Sequence, residues 1–239
     1  MAKRSAAHAH PLSFRGTPRS LSLSNPALAG HECGELVLPE ELAAHSESAV
    51  IKLPVHSRRS DGPSLKLRLD RGAPAGKYQA QLRLAGKSVP VTLDIAPAPR
   101  LSVFPLSADF TGKAGSDCEL EMTLVNKGNV AIELPERSIA GIFDDEGLEA
   151  AFAETYRQDT DDPVQLVGHW LRKLRDGYGG LLKLRIGSGS VSLPPDTERT
   201  ITVSAHLPES LKRGHSYHGI WEIGPVHYRV TVAISKDKG

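Results

Sequence analysis

Cysteine is scarce in this chain of 239 residues, which contains only Cys33 and Cys118. No C-x-x-C pair occurs, so thioredoxin-type redox chemistry and zinc ribbons are excluded. The two cysteines fall in different halves of the chain. A disulfide between them is possible, but nothing in the sequence requires one. We expect two buried or half-buried thiols.

Charge of one sign and long apolar runs are also lacking. Lysine and arginine number 29 against 28 aspartates and glutamates, whereas a nucleic-acid-binding domain usually carries a strong basic excess. No apolar run approaches the roughly 18 residues that a transmembrane helix needs. The N-terminus "MAKRSAAHAHPLSFRG" lacks the apolar core of a secretory signal. We therefore expect no nucleic-acid partner, no membrane span and a cytoplasmic location, unless a leader has been removed.

Catalytic and phosphate-binding motifs are missing as well. The chain contains no G-x-S-x-G, no G-x-x-x-x-G-K-[ST] and no G-x-G-x-x-G. The acidic pairs Asp144-Asp145 and Asp161-Asp162 stand before predicted helices, where N-capping explains them. His8 and His10 lie in a predicted flexible tail and are expected to bind metals only adventitiously. The sequence thus predicts no enzyme, no cofactor and no native metal site.

Short segments of alternating apolar and polar residues are what the chain has in abundance. In "SLKLRLD", Leu65, Leu67 and Leu69 share one face, and "ELEMTLVNKGN" alternates in the same way. This period of two is typical of half-buried strands, and the 22 glycines and 17 prolines supply the turns between them. Many short strands with such punctuation favour β-sandwiches.

One strand pattern occurs twice. The segments 65–95 and 201–234 both read as an alternating strand, a Pro-containing loop, a Gly, a Tyr that opens a second strand, a tight turn and a third strand. Two copies of one pattern predict two domains of one architecture. We place them at 1–97, with a flexible N-terminal tail, and at 98–239, joined by the proline-containing linker 96–99.

The loops "PAGKY" and "KRGHSY" before a terminal hairpin, together with "LEMTLVNKGNVAIEL", carry a resemblance. The chain resembles bacterial immunoglobulin-like β-sandwich modules of the CARDB and NEW3 type. The resemblance implies an all-β fold of two tandem immunoglobulin-like sandwiches. It also implies modules that bind or space other molecules, without a conserved catalytic set.

The stretch "GHSYHGIWEIGPVHYRV" concentrates histidine and aromatic residues near the C-terminus. Alternation predicts a hairpin in which Trp221 pairs with Tyr228 on the inner face and Glu222 pairs with His227 on the outer face. His218 and His227 are then about 13 Å apart along the ladder, which is too far for one zinc ion. His215 precedes the strand and could fold over it, but the sequence requires no carboxylate or thiol to join it in a metal site.

A helical insert is predicted at about 144–177 of the second domain. Its main helix follows Asp161 or Asp162 as N-cap and Pro163, and it ends near Gly177. Apolar residues recur at helical spacing along it and form one stripe: Val164, Val167, Trp170, Leu171 and Leu174. A shorter helix precedes it, with Leu148, Phe152 and Tyr156 on one side.

The insert also contains the candidate contact residues for an acidic protein partner: Trp170, Arg172, Lys173, Arg175 and Tyr178. The alternative is that Trp170 packs the helix on its own sandwich and the basic side chains are merely solvated.

We therefore expect a non-enzymatic interaction or scaffold module that presents the insert or an edge strand to a protein partner or larger assembly. A carbohydrate- or ligand-binding accessory module is the first alternative, disfavoured by an aromatic content of 5%. A two-domain chaperone-like protein is the second.

Overall fold

The fold is known from a computed structural model, which describes residues 12–58, 62–145 and 147–235. The expected N-terminal tail with His8 and His10 lies outside these ranges, and so does the side chain of Leu148. Within them, no helix is both long and apolar enough to cross a bilayer. The predicted fold class is confirmed, because the chain forms two β units of immunoglobulin-like strand order and the second unit carries a helical insertion.

The first unit extends to Arg100 and also includes the loop Lys127–Ala131. Its strands are β1 (Leu12–Gly16), β2 (Leu21–Ser24), β3 (Cys33–Val37), β4 (Val50–Arg58), β5 (Gly62–Leu67), β6 (Gly76–Leu84) and β7 (Lys87–Ile95). They pair in the order β1-β2-β5-β4-β3-β6-β7 and close into a barrel, because β1 pairs with both β2 and β7. A short helix, α1 (Glu40–Ala43), connects β3 to β4.

The second unit contains ten strands and two helices. The strands are β8 (Leu101–Phe104), β9 (Ser107–Gly112), β10 (Asp117–Asn126), β11 (Ile132–Leu134), β12 (Arg137–Asp144), β13 (Tyr178–Ile186), β14 (Val191–Leu193), β15 (Glu198–His206), β16 (Ser216–Ile223) and β17 (Val226–Ile234). The helices are α2 (Gly147–Tyr156) and α3 (Pro163–Asp176), and both lie between β12 and β13. Eight strands pair in the order β8-β10-β15-β13-β12-β16-β17-β9, and β11 pairs with β14.

Both units share one strand order, which accounts for the internal repeat. The run β2-β5-β4-β3-β6-β7 corresponds to β10-β15-β13-β12-β16-β17, and in each unit a short early strand pairs in parallel with the last strand. The connection from β3 to β4 is therefore equivalent to the connection from β12 to β13. The first is bridged by α1 alone, whereas the second carries α2 and α3. The division at 97/98 into separately folding domains stays a prediction.

Alternation correctly predicted the inner faces of the strands. Leu65, Leu67 and Leu69 are buried in the core of the first unit. In the terminal hairpin, the predicted register is confirmed by the pairing of Trp221 with Tyr228, whose rings meet edge-on at 6.3 Å. Apolar faces of this kind supply the main favourable free energy of folding, since each buried large side chain contributes about 1.5–3 kcal/mol.

The "NKGN" loop after β10 owes its composition to close backbone contacts in the first unit. The Asn129 side chain is buried and accepts a hydrogen bond from the Ala98 amide at 2.6 Å. Its amide group donates to the carbonyl oxygens of Ala73 at 3.2 Å and Ala96 at 3.1 Å. Gly128 precedes it where the chain passes so near this backbone that a side chain has no room.

We expect Gly128→Ala to destabilise the protein by about 1–3 kcal/mol through overpacking. A Cβ there would lie 2.5 Å from the Ala98 carbonyl oxygen and 2.6 Å from the Arg100 amide nitrogen, and neither atom belongs to a movable side chain. Equilibrium unfolding in urea measures the effect. Gly187→Ala is the control, because its Cβ would meet only ordinary contacts, and equal losses in both variants would contradict the explanation.

Ionisation of Tyr228 is expected to destabilise the fold at high pH. Burial, and secondarily the charge of Asp109, raises the pKa of the Tyr228 phenol from 10 to about 12, and its hydroxyl donates to the Pro105 carbonyl oxygen at 2.7 Å. Because the pKa of Tyr228 is higher in the folded than in the unfolded protein, its contribution to the free energy of unfolding is complete below pH 10. That contribution is lost as the pH rises towards 12. Phenolate absorbance during alkaline titration should show a late-ionising tyrosine that Tyr228→Phe removes. An unchanged titration curve in that variant would refute the assignment.

Candidate functional site

The helical insert leaves and rejoins the sheet at one narrow point. The Asp144 amide donates to the Gly177 carbonyl oxygen at 2.8 Å, so the two chain segments lie side by side. A Cβ on Gly147 would be 3.1 Å from the Cα of Gly177, and the reverse distance is 3.0 Å. Two facing glycines therefore let the chain enter and leave the insert without separating β12 from β13.

Helix α3 begins and ends as its sequence predicts. The Asp162 side chain accepts a hydrogen bond from the Val164 amide at 2.9 Å, Pro163 occupies the first turn and Gly177 forms the C-cap. Lys173 and Arg175 lie in the last turn, where the negative end of the helix dipole favours cations. These local signals define α3 independently of its tertiary contacts.

Helix α2 packs through small side chains. Among its described side chains, Ala151 and Thr155 are buried, whereas Tyr156 and Phe152 are exposed, at 81% and 43%. Phe152 and Tyr156, which the spacing places on one side of the helix, therefore do not face the core. Small side chains on the adjacent side allow the helix to approach the sheet closely, and Phe152 packs on Trp170 of α3 at a ring distance of 5.3 Å.

The apolar residues of α3 divide into two groups instead of forming one buried stripe. Trp170 and Leu174 are half-buried, and α3 packs chiefly on α2. Val164, Val167 and Leu171 are exposed, at 77%, 53% and 55% of their maximum. We call these three residues, spaced i, i+3 and i+7 on one side of α3, the helix stripe.

The five sequence-predicted contact residues do not form one surface. Arg172 and Arg175 are exposed on α3, Trp170 is half-buried, and Tyr178 belongs to β13. Tyr178 packs against Phe143 of β12, with ring centroids 5.2 Å apart. Of the five, Arg172 and Arg175 are thus the exposed basic residues beside the helix stripe, and Arg175 also forms an ion pair with its neighbour Asp176 at 3.7 Å.

Lys173 has a structural partner in Glu154 of α2, with which it forms an ion pair. The hydrogen bond from Lys173, followed by its charge, lowers the pKa of the Glu154 carboxyl group. The same interactions, from the other side, raise the pKa of the Lys173 ammonium group. This pair joins α2 to α3, and its exposure limits how much it stabilises the contact.

Two histidine–carboxylate pairs attach the start of the insert to the terminal hairpin. His215 Nδ1 lies 2.8 Å from an Asp144 carboxylate oxygen, and His218 Nε2 pairs with Asp145. His215 therefore has a carboxylate partner that the sequence did not indicate. Asp144 and Asp145 precede α2, which begins at Gly147, and their N-capping of this helix stays a prediction.

A cavity of about 200 Å³ lies where these groups meet the helices, and its polar lining comprises Asp144, Glu154, Lys173, Asp176, Lys212 and His215. Four of these residues are already paired with one another, Asp144 with His215 and Glu154 with Lys173. Across the described ranges, no group of three or more His, Cys, Asp or Glu side chains is placed to hold a metal ion. The arrangement can hold the insert against β16, and no further chemistry follows from it.

Sequence reasoning missed a second exposed apolar surface, on the outer face of β12, β13 and β16. We call it the hairpin patch, and its residues are Ile139, Phe143, Tyr178, Leu181 and Ile220. Their exposed fractions range from 43% to 62%. The signal was the continuous apolar run "SIAGIF" of β12, in which alternation fails because both faces are apolar.

No protein family and no curated protein matches the chain. Among solved structures, the ASH/PapD-like domain of human CEP192 is similar over 57% of this chain and 87% of its own, at 13% identity and a TM-score of 0.31. Domains 4 and 5 of the S-layer protein SbsC are similar over 90% of this chain and 82% of their own, at 14% identity and a TM-score of 0.29. A 3Ig structure of titin is similar over 94% of this chain and 62% of its own, at 10% identity and a TM-score of 0.32. At such low TM-scores these likenesses add nothing about function, and the finer CARDB and NEW3 resemblance stays a prediction.

Gly168 offers a test of whether the surface of α3 at this position is free of neighbouring atoms. A Cβ there would meet nothing within 4 Å, so Gly168→Ala should stabilise the helix by about 1 kcal/mol, or about fivefold in its opening equilibrium. Hydrogen exchange of the α3 amides should slow accordingly. Unchanged or faster exchange would show that the helix has a neighbour at this position.

Proposed function

We propose that this chain is a non-enzymatic protein-interaction module whose insert presents α3 to an acidic protein partner. The observation that carries the proposal is the helix stripe, in which three apolar side chains remain exposed on a well-capped helix. Apolar anchors at i, i+3 and i+7 are the pattern by which a helix binds in a groove. Burying each of them in a partner would contribute about 1.5–3 kcal/mol before the costs of association.

Charge defines the partner's chemistry. Arg172 and Arg175 are exposed beside the stripe, and Arg175 lies 3.7 Å from the exposed carboxylate of its neighbour Asp176. A partner with carboxylates around an apolar groove would complement this surface, and such complementarity mainly accelerates association and excludes wrong partners. Lys173 contributes less to this charge complementarity, because it already forms an ion pair with Glu154.

A contact through an edge strand is the second candidate. Strand β8 stands at one end of the eight-strand order, and within the described ranges it pairs with β10 alone. Phe104 at its end is exposed. An edge of this kind can accept a strand from a partner.

Site-specific photo-crosslinking separates these candidates. A photoreactive residue at Val167 should capture a partner through an acidic segment, whereas the same residue at the exposed Arg199 of β15 should not. Leu171→Asp with Arg175→Glu should reduce capture at Val167 by about tenfold, since it removes one anchor and reverses one charge. Equal capture at both positions, or capture that the double variant leaves unchanged, would overturn the role of α3, and capture at Phe104 alone would favour the edge strand.

A further inference from the structure

The outer face of β10, β15 and β13 carries its charges in two columns. Strand β10 contributes an acidic column of three exposed carboxylates, which alternate with residues that face the core: Asp117, Glu119 and Glu121. Strand β13, on the other side of β15, contributes a basic column of two exposed side chains, Lys183 and Arg185. Because only β15 separates the two strands, the columns run side by side at about 10 Å, twice the spacing of neighbouring strands.

The register places the two columns level with each other. Residues on β10 and β13 that share a partner on β15 form a row across the three strands, and two rows carry a charge at both ends: Asp117–His206–Lys183 and Glu119–Ser204–Arg185. Both rows are acidic at the β10 end and basic at the β13 end. The face is therefore divided into a negative and a positive half along the line of β15.

Most of the acidic column has no partner within the chain. Across the part of the chain that the structure describes, Glu119 and Glu121 take part in no ion pair and no side-chain hydrogen bond. Asp117 lies 2.8 Å from Nδ1 of His206 in its own row. Two carboxylates on one strand face are thus available to cations from another molecule.

The basic column keeps a net positive charge. Lys183 is exposed, and in the described ranges it has no carboxylate within ion-pair distance. Arg185 shares Glu136 with Arg137, at 2.9 and 3.7 Å. One carboxylate against three cations leaves this half of the face positive.

The first unit shows that such columns are not required by the architecture. Strand β2 holds the place in its sheet that β10 holds in the second unit, and its two outward side chains are Ser22 and Ser24. Neutral polar residues therefore suffice to keep this outer face compatible with water. The carboxylates of β10 are an individual feature of the second unit.

A face divided in this way is complementary to a copy of itself. When two such faces meet around a two-fold axis that runs along β15, left and right are exchanged while each row keeps its height. Glu119 of one copy then lies over Arg185 of the other. Asp117 likewise lies over Lys183, and the symmetry makes every contact twice. Sheets that pack face to face keep their strand directions within about 30°, so the rows stay aligned over this short distance.

The residues on the axis are compatible with this approach. Ser204 and Thr202 of β15 are small and polar, so the longer side chains on either side of them can reach across to a second copy. Glu198, on the same face of β15, would meet its own symmetry mate, but it lies about 14 Å beyond Thr202 along the strand. At physiological ionic strength, where the Debye length is about 8 Å, that repulsion is screened from the two rows.

We propose that the outer face of β10, β15 and β13 is a self-association surface, and that its occupant is a second copy of this chain related by a two-fold axis along β15. An unrelated partner would need two opposite charge columns at the same spacing and height, whereas a second copy presents them by symmetry. The face is small, so the dimer belongs with the weak complexes that bury less than about 1,200 Å². The surface is separate from the helix stripe, and its role does not depend on the proposed role of α3.

Sedimentation velocity of the full chain, at concentrations up to about 1 mM, tests the proposal through two charge-reversed variants. The acid-reversed variant is Glu119→Arg with Glu121→Arg, and the base-reversed variant is Lys183→Glu with Arg185→Glu. Each variant alone should self-associate about tenfold or more weakly than the native chain, because like charges then face each other. An equimolar mixture of the two should associate more tightly than the native chain, because a wholly basic face then meets a wholly acidic one.

The control is Glu32→Arg with Glu47→Arg, a matched change at two exposed residues of the first unit, which should leave association unchanged. Raising the ionic strength from about 0.01 M to about 0.15 M should weaken the native dimer several-fold, since the Debye length falls from about 30 to about 8 Å. Thermal unfolding of each variant confirms folding, and the single changes Glu119→Arg and Arg185→Glu replace the double ones if these impair it.

A native chain that stays monomeric at about 1 mM and low salt overturns the proposal. It is also overturned by self-association that both reversals leave unchanged, which would place the contact elsewhere, for example at the edge strand β8. A mixture that associates no better than either variant alone overturns the two-fold arrangement. None of these variants alters α3, so failure here and failure of the proposed role of the insert are distinguishable.

Discussion

The antiparallel pairing of β12 with β13 is the constraint on which the second unit's surfaces depend. The ladder runs from Arg137 opposite Arg185 to Phe143 opposite Tyr178, with an irregularity at Ile142 and Phe143 that shifts the register. Because the ladder continues to the ends of both strands, the insert must leave and return at one point. The same ladder sets Leu181 opposite Gly141 and thereby creates the hairpin patch.

Comparison of the two units shows where the individual character of this chain lies. Both use one strand order, and both bury alternating side chains of equivalent strands. The difference is the connection at one hairpin, which is the short α1 in the first unit and the α2–α3 pair in the second. A surface connection tolerates such an insertion at small cost in loop-closure entropy, so new contact surfaces can arise there while the core remains unchanged.

Sequence reasoning succeeded where local patterns decide the structure. Alternation predicted the register of Trp221 with Tyr228, and capping residues predicted α3, because both depend on neighbours in the chain. It failed for the packing of the insert. Whether Ala151 or Phe152 of α2 faces the sheet depends on the close approach of two chain segments, and no periodicity encodes that approach. The hairpin patch was not predicted for a related reason, since the sequence of a strand with two apolar faces does not indicate which face stays exposed.

The two exposed apolar surfaces of the second unit differ in how firmly the fold holds them. The hairpin patch stands on three hydrogen-bonded strands whose opposite faces form the core, so its shape is set before any ligand arrives. The helix stripe stands on α3, which is supported chiefly by α2 through Phe152, Trp170 and an exposed ion pair. A rigid surface loses little conformational entropy on binding and selects by shape, whereas a less firmly supported helix can adjust to its partner. The patch is therefore the more firmly supported of the two surfaces, and the helix stripe is the more adaptable one.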